Sequence, residues 1–165
     1  MTTLWACRPG QLTLFSVFFT PKVTHLCRAA VTLSLLVPPL RVLIAEDDEP
    51  IRKLLGHVCV RLGYDVVMAA DGIEAMERIG GCDLLMLDLM MPRMNGFGVM
   101  TALTERAVRP VVVVLTAWVN VHMDAFPPGM VRTVIRKPFD LAEITVALKS
   151  IGDEIGRDHP PFATQ

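Results

Sequence analysis

The chain alternates short, wholly apolar runs with longer stretches in which apolar residues recur every three or four positions. Val42–Ala45 (VLIA) is such a run, and it stops abruptly at Glu46-Asp47-Asp48-Glu49. A short run of this kind fits a strand buried on both faces. Pro50 stands where a first helical turn tolerates proline. Ile51, Leu54, Leu55, Val58 and Leu62 follow at helical spacing, and Gly63 closes the pattern. Asp65–Ala69 reads as a second strand, Asp71-Gly72 as a turn, and Ile73–Ile79 as a short helix with Ile73, Met76 and Ile79 on one side. Leu84–Leu87 is a third strand ending at Asp88. A loop rich in turn residues, Met91-Pro92 through Asn95-Gly96, leads into a helix over Phe97–Ala107. Val111–Leu115 is a fourth strand ending at Thr116, and Val131–Ile135 a fifth, ending near Lys137-Pro138. Asp140 suits an N-cap with Glu143 as capping-box partner, ahead of a helix carrying Leu141, Ile144, Leu148 and Ile151. From Gly152 the chain turns polar and reaches Pro160-Pro161, so residues 152–165 are expected to form a disordered tail.

Repeated strand–helix alternation argues for an α/β fold, a doubly wound parallel sheet with helices on both faces. Crossovers between such strands are right-handed in nearly all cases. Ligands of these sheets bind beyond the carboxyl ends of the strands. That rule places Glu46, Asp47, Asp88, Thr116 and Lys137 on one rim, since they close four different strands.

Length and charge refine this picture. The chain has 165 residues, enough for one domain with some left over. About half of them are hydrophobic and its net charge is −1, which gives no support for non-specific nucleic-acid binding. All 17 acidic residues lie from Glu46 onward, whereas residues 1–40 hold Arg8, Lys22 and Arg28 and no acid. The expected organisation is an apolar and basic extension at 1–40 followed by the domain at 41–151. Within the extension, Gln11–Thr20 and Ala29–Leu40 are each shorter than the roughly 20 apolar residues a spanning helix needs. Three readings remain for it: a poorly ordered extension from an upstream start codon, a peripheral membrane-binding segment, or a targeting sequence. The four cysteines show no C-x-x-C spacing, so buried free thiols in a reducing cytoplasm are expected rather than a zinc or disulfide framework.

The rim carries the chemistry. Two unit charges 4 Å apart repel by about 4 kcal/mol at an effective dielectric near 20. Clustered carboxylates therefore take up protons or a cation. Mg²⁺ prefers oxygen and is commonly held by one or two carboxylates with phosphate oxygens and water. A carboxylate such as Asp88 can attack phosphorus and form an acyl phosphate. The Thr116 hydroxyl could donate to a phosphoryl oxygen, Lys137 would supply positive charge, and small Ala117 would leave room. Singly, each residue also fits a bland role: a helix-starting acidic cluster, a turn aspartate, a β-branched strand end, a solvated lysine. Their joint placement on separate strand ends is what points to function.

With VLIAEDDEPIRKLL, LLMLDLMMPRMNGFGVM, VVVVLTA and VIRKPF, the stretch from about Arg41 to Ser150 resembles the receiver domain of bacterial two-component response regulators. D-x-x-M-P-x-M-x-G, from Asp88 to Gly96, is the family's phosphorylation-loop signature. The resemblance implies a flavodoxin-like five-stranded sheet in the order 2-1-3-4-5. It makes Asp88 the phospho-acceptor, Asp47 a direct Mg²⁺ ligand, Glu46 a ligand through water, and the Met90 backbone carbonyl a further ligand. Thr116 and Lys137 become the switch hydroxyl and lysine, and the Lys137–Pro138 bond is expected to be cis. Three departures stand out. Val134 occupies a position that often holds a rotating aromatic ring. Pro127-Pro128-Gly129 shortens the fourth helix to about two turns over Val119–Phe126. Met90 and Trp118, at positions thought to gate water, are bulky, so a slow loss of phosphate is expected.

The function implied is a single-domain, cytoplasmic, phospho-accepting switch. It is charged by a histidine kinase or phosphotransfer protein and acts on an unknown downstream protein, with no nucleic-acid contact. No output domain follows the last helix in this sequence. Catalysis would be limited to its own phosphorylation and dephosphorylation. The alternative is a degenerate receiver that binds partners without phosphate, which Val134 and the shortened helix favour. A dehalogenase-like phosphatase would need a second aspartate where Met90 stands. A flavin-binding relative would need a phosphate-cradling loop after Ala45.

Overall fold

In the computed structural model, the described residues are 38–158, without Val108, Val119, Asn120 and His122, and without the side chains of Arg157 and Asp158. The chain divides into a unit at Met1–Val37 and a unit at Pro38–Gln165. The three readings of residues 1–40 thus fall almost wholly outside the described residues, as does the tail from His159. Leu40 belongs to the second unit: its carbonyl accepts the Asp65 N–H at 2.9 Å and its side chain packs on the core.

Five strands, β1 (Arg41–Ala45), β2 (Asp65–Ala69), β3 (Leu84–Asp88), β4 (Val111–Thr116) and β5 (Val131–Arg136), form one sheet in the order β2-β1-β3-β4-β5. All the pairings are parallel. The helices are α1 (Glu49–Arg61), α2 (Gly72–Arg78), α3 (Gly96–Thr104) and α4 (Leu141–Asp158). This is the expected flavodoxin-like doubly wound fold. The apolar runs are explained by the strand period of two. Leu43, Ala45, Leu85, Leu87, Val112 and Val114 pack on one face with α2 and α3. Val42, Ile44, Leu84, Met86, Val113 and Leu115 pack on the other with α1 and α4. A central strand here has no solvent side, so no polar residue interrupts it until its carboxyl end.

Helix ends follow local chemistry. Asp48 caps α1 by accepting the Ile51 N–H at 3.0 Å, and Gly63 follows its end at φ 84°. Asp71 caps α2, and the Glu74 carboxylate reaches back to the Ala70 N–H at 2.6 Å. Asp140 caps α4 through the Ala142 N–H.

Several expectations need correction. The third helix ends at Thr104 rather than Ala107, because the Arg109 guanidinium takes the Thr104 and Arg106 carbonyls at 3.0 Å and satisfies groups that another turn would have used. Helix α4 runs through Gly152 to Asp158, so the polar tail starts later than expected: Ile155 continues the buried stripe of Ile144, Leu148 and Ile151. Gly152 is tolerated in that helix because a Cβ there would collide with the Tyr64 hydroxyl, which donates to the Leu148 carbonyl. Leu54, Ile73 and Leu141 fit the apolar spacing but are exposed; Leu55, Ala75 and Ile144 hold the buried positions. In the shortened fourth-helix region the described residues form a single 3₁₀ turn, Met123–Ala125.

Gly96 lets α3 start directly under β3. A Cβ on it would lie 2.5 Å from the Asp88 carbonyl oxygen and 2.8 Å from Leu89 Cα, both backbone atoms that cannot yield. Gly96→Ala should therefore lower the urea midpoint by the equivalent of about 1–3 kcal/mol. Gly80→Ala, where a Cβ meets open space, should change it little. Equal midpoints for both variants would contradict this account.

Candidate functional site

The carboxyl ends of the strands converge as the sequence requires. Glu46 and Asp47 follow β1, Asp88 ends β3, Thr116 ends β4 and Lys137 follows β5. Register fixes their neighbourhood: Ala45 pairs with Leu87, Asp88 with Leu115, and Thr116 with Arg136. Glu46, Asp47 and Asp88 each offer a carboxylate oxygen, and these atoms lie within 4.8 Å of one another. Glu46 is fully buried, Asp88 nearly so, and Asp47 is exposed.

Lys137 reaches across the sheet to this cluster. Its Nζ donates to Asp88 Oδ2 at 2.6 Å and to Glu46 Oε1 at 2.7 Å. Glu46 Oε2 is equally near the ammonium, yet it is not aligned to accept and has no hydrogen-bond partner. Burial raises the Glu46 carboxyl to about 7, an effect that Lys137 opposes and the Asp88 charge reinforces. Burial also works against charge on Lys137, but its hydrogen bonds to Asp88 and Glu46 outweigh that and its pKa is raised. The ammonium therefore stays charged through the physiological range. One positive charge faces a cluster of three carboxylates, one of them with an orphaned buried oxygen. That all-oxygen donor set, with negative charge to spare, suits a hard divalent cation such as Mg²⁺.

The remaining expected residues lie close by. The Met90 N–H donates to Asp88 Oδ1 at 3.0 Å and draws the following loop over the carboxylate. Thr116 is buried, its Oγ accepts the Trp118 N–H at 3.0 Å, and no acceptor for its own hydroxyl hydrogen is found among the described residues. The Lys137 N–H donates to the Thr116 carbonyl at 2.8 Å, and the Lys137–Pro138 peptide is cis. Met90 and Trp118 are each about half exposed at the mouth of the site. Trp118 leans on Phe97, which stacks on Phe126. Asp48 is committed to capping α1 and stands outside the carboxylate cluster.

Sequence reasoning missed three residues. Arg52 donates to the Glu46 and Asp47 carbonyls at 2.5 and 3.1 Å, holding the acidic loop from below. Asp71 and Arg93 form an ion pair beside the loop that follows Asp88. The Asp71-x-x-Glu74 capping pattern was visible in sequence; the Arg52 contacts are local but have no motif of their own, and the Arg93 contact spans 22 residues.

Comparison with known proteins bears on this arrangement. The family model described as "Response regulator receiver domain" matches residues 42–149. Over 126 residues the chain is 36% identical to the "Protein-glutamate methylesterase/protein-glutamine glutaminase 5" of Myxococcus xanthus, covering 72% of this chain and 35% of that protein. It is 31% identical over 127 residues to "Response regulator MprA" of a Mycobacterium species, covering 74% and 55% respectively. It is 39% identical over 82 residues to "Regulator of RpoS" of Escherichia coli, covering 48% and 24%. The chain thus spans a quarter to about half the length of these curated relatives. Among solved structures, a receiver domain protein of Methanospirillum hungatei superposes with TM-score 0.65 at 22% identity, covering 74% of this chain and all of that one. The response regulator protein TrrA of Thermotoga maritima, solved in complex with Mg²⁺–BeF, gives 0.60 at 25%, covering 68% and 98%. With its strand order, its gathered acids and a family match over most of the described residues, the chain belongs to the response regulator receiver domains.

Proposed function

We propose that Asp88 of this receiver domain accepts a phosphoryl group from a phosphohistidine of a sensor kinase or phosphotransfer protein, and that the charged form is read through a protein-binding surface. The observation that carries this reading is the Lys137 ammonium held on Asp88 and Glu46 together. An oxygen of Asp88 attacks phosphorus, a P–O bond forms, the P–N bond breaks, and the imidazole nitrogen leaves with the electron pair. Glu46, Asp47, Asp88 and the Met90 carbonyl are the residues that would hold Mg²⁺, which when bound neutralises charge on the transferring group. Lys137 keeps its charge beside the incoming oxygens. Thr116, with its hydroxyl hydrogen unspent, donates to one of them and carries the change into β4. The reaction is the domain's own phosphorylation and loss of phosphate, in the cytoplasm where phosphohistidine donors are made. What the longer relatives do elsewhere in their chains is not carried over.

A second reading, partner binding without phosphate, is favoured by Val134, which is part-buried against the core with no ring to rotate, and by the single 3₁₀ turn beside it. Intact-mass analysis after incubation with phosphoramidate and Mg²⁺ separates the two. The first reading expects one added phosphate on the wild type and none on Asp88→Asn. A folded wild type that gains no mass would favour the second.

Two further outcomes follow from the site. The folded protein holds a proton on Glu46 up to about pH 7, whereas the unfolded chain releases it near the ordinary glutamate value of 4.5. In the metal-free domain the stability tied to this group therefore falls as pH rises between those values. Mg²⁺ needs the carboxylate, so its affinity should rise about tenfold between pH 6 and 8, one proton being displaced per ion. Glu46→Gln should flatten that profile, and a flat wild-type titration would count against the assignment. Met90 and Trp118 flank the acceptor, so the phosphorylated wild type should lose its label more slowly than a Met90→Asn/Trp118→Ala variant. Equal decay rates would remove any shielding role.

A further inference from the structure

The loop that follows Asp88 must hold the Met90 backbone in one place, yet most of it lies outside regular structure. Within it, Arg93 takes φ 63°, the left-handed region, and no other described non-glycine residue does so. A long side chain has no local reason to adopt that conformation; something outside the loop selects it. The partner is Asp71, the N-cap of α2, which is almost completely buried while Arg93 is largely exposed. Asp71 Oδ1 accepts the Ile73 and Glu74 N–H groups, leaving Oδ2 for the Arg93 guanidinium.

A second contact lies alongside the first. The Gly72 N–H donates to the Met94 carbonyl at 3.1 Å, and a Cβ on Gly72 would meet that oxygen at 2.4 Å. The loop is thus seated on the start of α2 by adjacent residues on both sides, Asp71 with Arg93 and Gly72 with Met94. That seat is itself braced. Glu74 binds the Ala70 N–H and pairs with Arg78, which in turn donates to the Met68 carbonyl at the end of β2. On its other side the loop is tied to β3 by the Met90 N–H on Asp88 and by the Gly96 N–H on the Leu89 carbonyl at 3.1 Å.

We propose that Asp71 and Arg93 form a positioning clamp that seats the phospho-acceptor loop on α2 and thereby sets the affinity of the site for Mg²⁺. Neither residue touches the reacting atoms. Their part is to remove the freedom of the loop backbone, so that the metal-binding arrangement exists before the ion arrives. The inference rests on the receiver reading for its consequence at the metal, and on the contacts alone for the clamp.

Arg93→Gly tests it, since glycine accepts the left-handed conformation and loses the charge pair; it also frees the backbone, so Asp71→Asn, which leaves the loop sequence intact, must show the same effect. Asp71→Asn is the companion variant, because asparagine retains N-capping while losing the charge. In the metal-free full chain, amide exchange should show the Gly72 N–H exchanging several-fold faster in both variants, with exchange in β1 and β4 unchanged. Titration with Mg²⁺ alone, followed by tryptophan fluorescence, should show affinity reduced about tenfold. Arg93→Lys should recover much of it. Labelling by phosphoramidate should then be limited by the Mg²⁺ concentration required rather than by the rate reached. Wild-type Gly72 exchange and wild-type Mg²⁺ affinity in Arg93→Gly would overturn the proposal. A wild type that neither binds Mg²⁺ nor gains phosphate would instead refute the receiver function, and the Gly72 exchange would still decide whether the clamp exists.

Discussion

The structure depends on one electrostatic constraint: a buried carboxylate cluster at the carboxyl edge of a parallel sheet, held together by a single ammonium. Glu46 is fully buried, and Lys137 hydrogen-bonds one of its oxygens and Asp88, leaving Oε2 without a hydrogen-bond partner among the described residues. Burial of a charge is costly even beside a shared ammonium, so the acid is pushed toward its neutral form. The fold retains this frustrated arrangement because the strands that carry the acids have no other place to end. Both faces of β1, β3 and β4 are committed to apolar packing. Polar chemistry is confined to strand termini, and parallel topology brings those termini to one side.

Close backbone approach is the second constraint, and glycine answers it twice. Gly96 lets α3 begin against the Asp88 and Leu89 backbone, and Gly72 lets α2 begin against Met94. Both sit at helix starts and both border the loop that follows Asp88. The loop is therefore defined by what surrounds it: β3 before it, α3 after it, α2 beneath it. Precision at Asp88 comes from packing at some distance from Asp88.

Much of this was legible in the chain. Buried parallel strands leave unbroken apolar runs, so all of the strands and their carboxyl-terminal acids could be read directly. Asp88, Glu46, Asp47, Thr116 and Lys137 were legible because each closes a run. Helix faces were less so. Leu54, Ile73 and Leu141 obey the helical period yet stand in solvent, because a stripe of alternatives surrounds each true core position and only packing selects among them. Helix ends set by a side chain beyond the helix were also hidden: Arg109 takes the Thr104 carbonyl from five residues on, a contact with no sequence motif. The Asp71–Arg93 pair spans 22 residues of sequence and has no period at all.

Among the described residues the two sides of the site are held by different means. On the β2 side the acidic loop is held by Arg52, and the acceptor loop by Asp71, Gly72 and the capping bonds of α2 and α3. On the β5 side, between Thr116 and Met130, the backbone bonds among described residues outside helices and strands are Phe126 to Met123 and Met130 to Pro127. β5 itself shifts register against β4 at Val112/Val113, which gives Arg132 no partner in the ladder. A new charge at Asp88 must be accommodated somewhere. Side chains distant in sequence hold the β2 side, whereas on the β5 side the strand ladder and the Lys137 N–H on the Thr116 carbonyl join the site to the sheet. Lys137 and Thr116 reach the site from the β5 and β4 ends and are covalently continuous with those strands. If Asp88 takes up a phosphoryl group as proposed, Lys137 and Thr116 are the groups through which β5 and β4 would meet its charge.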